Sequence, residues 1–150
     1  SDSTRVELRL DEQVDKEAYA LYLDFLLAFG DSLPAGESAY VYDNSIRTAD
    51  LGVPVNIDVI GVMPHMHGRG TELTLTVEGQ AEDRCLVDVP AWDYGWQFVY
   101  FYDQPERVRP NDTVRLSCTF DTMDATEPVK AGWGTQNEMC LAVVYATLGL

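Results

Sequence analysis

The chain has only two histidines, and both lie in Met63-Pro64-His65-Met66-His67-Gly68. They close an apolar run beginning at Val55 whose alternation predicts a β-strand. Residues i and i+2 of a strand share a face, so His65 and His67 would present two imidazoles side by side. Neutral imidazole is a good metal ligand, and two at this spacing can share one ion. The motif alone is weak, because two histidines at a strand end more often simply face solvent. A sulfur-bearing segment near the C-terminus, Gly132-Trp133-Gly134-Thr135-Gln136-Asn137-Glu138-Met139-Cys140, leads into another apolar strand. Met139 and Cys140 are adjacent and must face opposite sides, so at most one can join a site on the histidine face. A methionine there would ordinarily be core filling.

Other chemistries find less support. Gly36-Glu37-Ser38-Ala39 does not complete a nucleophile elbow, and neither histidine has an evident serine partner. With 25 Asp and Glu, carboxylate pairs arise by chance and specify no glycosidase dyad. Asn111-Asp112-Thr113 matches a glycosylation sequon, but a turn before a strand accounts for it. Aromatics concentrate in Trp92-Asp93-Tyr94-Gly95-Trp96-Gln97 and Tyr100-Phe101-Tyr102. They could wall a site, but their alternating spacing favours packing inside a sandwich core.

The elements that must position these residues are mostly strands. Val6, Leu8 and Leu10 alternate with charged residues, and Tyr19, Leu21, Leu23, Phe25 and Leu27 share one parity, which favours strand over a rival helix. Further runs cover Ala39 to Tyr42, Val55 to Val62, Glu72 to Val77, Gln97 to Tyr102, Thr113 to Phe120 and Met139 to Leu148. Leu33-Pro34-Ala35-Gly36, Glu78-Gly79 and Arg109-Pro110-Asn111-Asp112 supply turns beside them. About eight strands without alternating helices predict an all-β antiparallel β-sandwich of jelly-roll type. Asp121 to Gln136 reads as the one long irregular connection.

Length and composition bound the rest. The 150 residues suit one domain spanning 1–150, and 46% hydrophobic content provides a core. A formal charge of −15 repels phosphate backbones and anionic lipid, which excludes nucleic-acid partners. The longest apolar stretch, Phe25 to Phe29, is too short for membrane insertion. The polar start Ser1-Asp2-Ser3 reads as a mature terminus or a cut through a longer protein. Three cysteines suggest one disulfide and one free thiol in an oxidising compartment, extracellular or periplasmic, with three pairings possible.

Pro-His-Met-His-Gly, the downstream Gly-x-Gly-Thr-x-x-Glu-Met-Cys and Cys118 some twenty residues earlier together resemble a known family. This is the C-terminal domain of the copper type II, ascorbate-dependent monooxygenases, whose members include the peptidylglycine and dopamine enzymes. The resemblance runs from about Ala18 to the C-terminus. It implies that His65, His67 and Met139 bind one oxygen-activating copper ion and act as its catalytic ligands. It also implies a Cys118–Cys140 disulfide that pins the Met139 strand against its neighbour, leaving Cys85 as the free thiol. Two nitrogens and a thioether suit Cu(I), whereas a blue-copper centre would need a cysteine thiolate on the same face.

By the same resemblance the partners are dioxygen, a reductant such as ascorbate, and a second, three-histidine copper domain on the N-terminal side. This chain has no histidine left to build that second centre. The peptide-hydroxylating members carry an arginine and a tyrosine where this chain has Met63 and Val143, so their carboxylate site is missing. The expectation is therefore a copper-dependent monooxygenase domain that hydroxylates an unspecified C–H and depends on a second copper or reductant. The alternative is a non-catalytic copper-binding or copper-delivery module using the same ligands, and the weakest reading is a sandwich with a vestigial site.

Overall fold

A computed structural model describes residues 3–52, 55–79 and 82–149. The protein is an antiparallel β-sandwich of two four-stranded sheets. The first sheet contains β1 (Ala18–Asp24), β4 (Ile57–His65), β7 (Tyr100–Val108) and β10 (Leu141–Leu148), in the order β1-β10-β4-β7. The second contains β3 (Tyr40–Arg47), β5 (Gly70–Glu78), β6 (Arg84–Val89) and β8 (Thr113–Phe120), in the order β3-β8-β5-β6. Two short strands, β2 (Ser32–Leu33) and β9 (Val129–Lys130), form a separate pair.

Alternation explains the core. Leu73, Leu75 and Val77 of β5 and Val114, Leu116, Cys118 and Phe120 of β8 face inward. They meet Val59 and Val62 of β4 and Ala142, Val144 and Ala146 of β10 from the opposite sheet. β10 is buried on both sides, because Leu141 and Val143 on its outer face form a second, smaller cluster with Met139, packed under Leu27, Met63 and Tyr145.

An irregularity in β4 decides which way the histidines point. Ile57 and Val59 face the core, but the register against β7 shifts between Val59 and Gly61, after which Val62 and Met66 face inward. This bulge reverses the parity of the strand, so Met63 and His65 turn outward. Gly61 is required at the bulge, since a Cβ there would sit 2.7 Å from the Phe101 ring and 2.8 Å from the Tyr100 carbonyl oxygen.

The disulfide joins Cys118 of β8 to Cys140, the residue preceding β10. It therefore bridges facing sheets and does not pin neighbouring strands of one sheet. Closing a loop of this length restricts the unfolded chain by roughly 3 kcal/mol. Cys85 on β6 is a free thiol, and burial pushes it up from its ordinary pKa.

Some predicted elements differ in form. Val6, Leu8 and Leu10 are exposed and belong to no strand; alternation cannot hold a strand that lacks a partner and a surface to cover. The run from Tyr19 is strand only as far as Asp24 and then turns into a short helix, α1 (Phe25–Phe29). Asp24 Oδ1 caps it by accepting from Leu27 N at 3.0 Å, and Gly30 ends it at φ 67°. The strand β6, not foreseen, pairs with β5, and the irregular Asp121–Gln136 connection contains β9.

Outside the core, Asp58 of β4 pairs with Arg107 of β7 at 2.8 Å. The guanidinium holds the Asp58 carboxyl below its ordinary 3.8 against the opposing effect of burial. A carboxyl held low in the folded state stabilises fully above the unfolded value and loses that contribution as pH falls through the lowered one. Asp58→Asn should therefore be less stable than the wild type at neutral pH, with the gap closing on acidification below pH 3.8. Urea unfolding across that range tests this, and a constant gap would contradict it.

Candidate metal centre

The last paired residues of β4 and β10 are His65 and Leu141, and Leu141 also pairs with Asp24 of β1. Asp24, Leu141 and His65 thus form one row across the outer face. The ladder ends at that row; His67 lies two residues beyond His65, and Met139, two residues before Leu141, packs with Leu141 and Val143 in the outer cluster. The rings of His65 and His67 lie 5.1 Å apart, edge to face. His67 and Met139 are buried, while His65 remains partly open. Cys140 points the other way, into the disulfide and the core, so of the two sulfur residues Met139 is the one on the histidine face.

Hydrogen bonds fix both imidazoles. His67 Nδ1–H donates to the Asn137 carbonyl at 2.7 Å. His65 Nδ1 meets Gln97 Oε1 at 2.6 Å, while Gln97 Nε2 donates to the Tyr94 carbonyl at 2.7 Å. That second bond orients the amide so that its oxygen accepts from His65. In the neutral form each ring therefore carries its proton at Nδ1 and offers Nε2, the arrangement a metal-ligating histidine requires.

A buried carboxylate ties the two segments together. Glu138 is 1% exposed; Oε2 accepts from His67 N at 3.0 Å and Oε1 from Arg69 N at 2.8 Å. Trp92 Nε1–H adds a bond to the His67 carbonyl at 3.2 Å. Asn137, Glu138 and Met139 thus supply, in succession, the acceptor that orients a ring, the clamp on its backbone, and a thioether.

Asp24 lies alongside. Burial pushes its carboxyl above the ordinary range, while the Leu27 amide and the nearby His65 and His67 act in the opposite direction. Its Oδ2 is buried without a hydrogen-bond partner among the described residues. Two imidazole nitrogens and a buried thioether fit a soft or borderline cation. No three His, Cys, Asp or Glu side chains among the described residues converge as a metal group, Asp24 with the two histidines included.

The aromatics correct the sequence expectation. Trp92 and Tyr102 pack against the core, but Tyr94, Trp96, Phe98, Tyr100 and Phe101 are exposed. The Tyr94 ring lies 6.1 Å from His67, edge to face.

Comparison with known proteins gives this geometry a lineage. The profile of the copper type II ascorbate-dependent monooxygenase, C-terminal domain, matches residues 26–147. The chain belongs to this family. Dopamine beta-hydroxylase of Canis lupus familiaris is similar to it, 28% identical over 118 residues covering 76% of this chain. The chain spans 19% of that relative's length. The matched region of this monooxygenase-family domain includes His65, His67, Gln97, Asn137, Glu138, Met139 and both disulfide cysteines, while Asp24 precedes it.

Sequence reasoning singled out His65, His67 and Met139 as candidates and assigned no role to Gln97, Asn137, Glu138 or Asp24. The one available signal was Glu138, a charged residue directly beside the apolar strand β10. Its removal leaves two backbone N–H groups without acceptors. Glu138→Ala should lower stability by about 3 kcal/mol in urea unfolding; a loss below about 0.5 kcal/mol would contradict the clamp.

Proposed function

We propose that this domain is the oxygen-activating half of a copper monooxygenase, with one copper held by His65 Nε2, His67 Nε2 and Met139. The observation that carries this reading is the pair of hydrogen bonds that hold both Nδ1 atoms as donors and leave both Nε2 atoms free. When bound, copper supplies the redox chemistry by which dioxygen is used to hydroxylate an aliphatic C–H.

The chain's own residues prepare that chemistry. Gln97 and Asn137 set the ring tautomers. The Met139 thioether favours the reduced metal. Burial of His67 and Met139 keeps water from two of the three donors. Glu138 and the disulfide hold the methionine segment against the histidine turn and the facing sheet, so ligand order is in place before metal arrives.

The family description supports ascorbate as reductant and dioxygen as co-substrate. With only two histidines, the chain cannot build a three-histidine electron-donating centre, so that role falls to another domain or an external donor. The same fact keeps a second reading in play, a copper-binding or delivery module without turnover. The disulfide supports an extracellular, periplasmic or vesicular setting. No helix among the described residues is long and apolar enough to cross a membrane.

Copper titration tests the site. The wild type should bind one copper, and His67→Ala should weaken binding at least tenfold; equal affinity would end the proposal. Oxygen consumption with ascorbate and copper, accompanied by a hydroxylated product, separates the enzyme from the carrier. Tight copper binding without product from the protein supplied with its electron donor would establish the carrier.

A further inference from the structure

Met139 lies in the outer cluster of its sheet, on a face where side chains ordinarily meet solvent, yet it is 0% exposed. Residues from outside the sandwich must therefore cover it. Three half-buried side chains pack against the cluster of Met139, Leu141 and Val143, namely Leu27, Met63 and Tyr145. Met63 is the cross-strand partner of Val143, and Tyr145 stands two residues along the same strand, so both belong to the Val143 end. Leu27 is the cover at the Met139 end. β1 and β10 are antiparallel and Asp24 pairs with Leu141, so the chain leaves β1 at the end of the sheet where Met139 leads into β10. Phe25 and Leu26 then turn into the main core, and Leu27 turns to the outer cluster.

The helix that carries Leu27 has five residues, too few to hold itself. Its place is set by bonds at both ends of Leu27. The Leu27 N–H donates to Asp24 Oδ1 at 3.0 Å, and the Leu27 carbonyl accepts from Gly30 N at 3.1 Å. Beyond it, the Leu26 carbonyl accepts from Asp31 N at 3.1 Å, and Asp31 Oδ2 accepts from the Tyr42 hydroxyl at 2.7 Å, which ties that end of the turn to β3. On the near side, Asp24 makes the one side-chain bond to the helix backbone among the described residues. Asp24 is itself fixed in the ladder row that contains Leu141 and His65. A single carboxylate thus connects the cover of the thioether to the row that carries a histidine.

The chemistry of methionine makes such a cover useful. Its unbranched side chain has three rotatable bonds and fills whatever space it is given, so a wall is needed to keep it in one orientation. A neutral thioether is also a soft donor with little hold on a metal in competition with water and harder ligands.

We propose that Asp24 is a positioning residue of the metal centre, which by capping α1 holds Leu27 over the Met139 thioether and keeps that sulfur dry and in place. The consequence for metal binding rests on the copper reading, whereas the cover itself can be measured without copper. The competing role for Asp24 is its charge beside His65 and His67. Asp24→Asn separates the two, because it keeps an oxygen that can cap a helix and loses the charge.

The test is peroxide oxidation of the copper-free protein, followed at each of its four methionines by mass spectrometry. Met123, 61% exposed, gives the rate of an open thioether, and Met66, buried in the main core, reports any general loosening. In the wild type Met139 should react at least tenfold more slowly than Met123. Asp24→Ala and Leu27→Ala should each speed Met139 at least fivefold while leaving Met66 within about twofold. Asp24→Asn should keep the wild-type rate at Met139. Because both residues act through one contact, Asp24→Ala/Leu27→Ala should oxidise at Met139 no more than about twice as fast as the faster single variant. In Cu(I) titrations of the same proteins, Asp24→Ala should bind at least fivefold more weakly, with Asp24→Asn within about threefold of the wild type.

An unchanged Met139 rate in either alanine variant would overturn the proposal. Met66 and Met139 accelerating together would also reject it, since α1 would then support the whole sandwich and not cover one sulfur. Asp24→Asn behaving like Asp24→Ala would make the charge the operative feature and reject the cap. Fully multiplying effects in the double variant would show that the two residues act separately. Faster Met139 oxidation with Cu(I) affinity unchanged would leave the cover standing and remove Met139 from the copper reading.

Discussion

The Glu138 carboxylate is the interaction on which the rest of the centre depends. Its two oxygens accept from the backbone of His67 and Arg69, fixing the turn after β4 against the segment before β10. Two chain segments about seventy residues apart are thereby held in one geometry from a position 1% exposed to solvent. A buried carboxylate is costly unless its acceptors are used, and here both oxygens have donors. The residue before it orients the His67 ring and the residue after it carries the thioether, so displacement of Glu138 would disturb all three functions together.

A second constraint sets the direction of the site. The register shift between Val59 and Gly61 turns β4 over, sending Met63 and His65 to the outer face while Val62 and Met66 remain in the core. The small outer cluster of Met139, Leu141 and Val143 then buries the thioether side of the site without opening the main core. The Cys118–Cys140 bridge secures the other side of the same segment to β8. The centre is thus built on the sheet surface and braced from inside the sandwich.

Much of this was legible in the sequence because it depends on local periodicity. Alternation marks β5 and β8, a continuous apolar run marks β10, and the opposed directions of Met139 and Cys140 follow from strand geometry. The segment around Val6 shows the limit of that signal: it has the alternation but neither partner nor covering surface. In α1, Asp24 capping and Gly30 override the continued odd-residue parity. The aromatics of residues 94–101 have the spacing of core residues, yet the chain leaves the sheet before Tyr100 and most of the rings face solvent. Glu138, Gln97 and the Asn137 carbonyl act across long sequence separations, which no local pattern encodes.

The central claim is the identity of the three donors around one metal. X-ray absorption of the Cu(I)-loaded protein measures it most directly. The account expects two imidazole nitrogens and one sulfur in the wild type, with the sulfur contribution absent in Met139→Leu and both imidazoles retained. A wild-type spectrum without sulfur, or a sulfur contribution that survives in Met139→Leu, would contradict it.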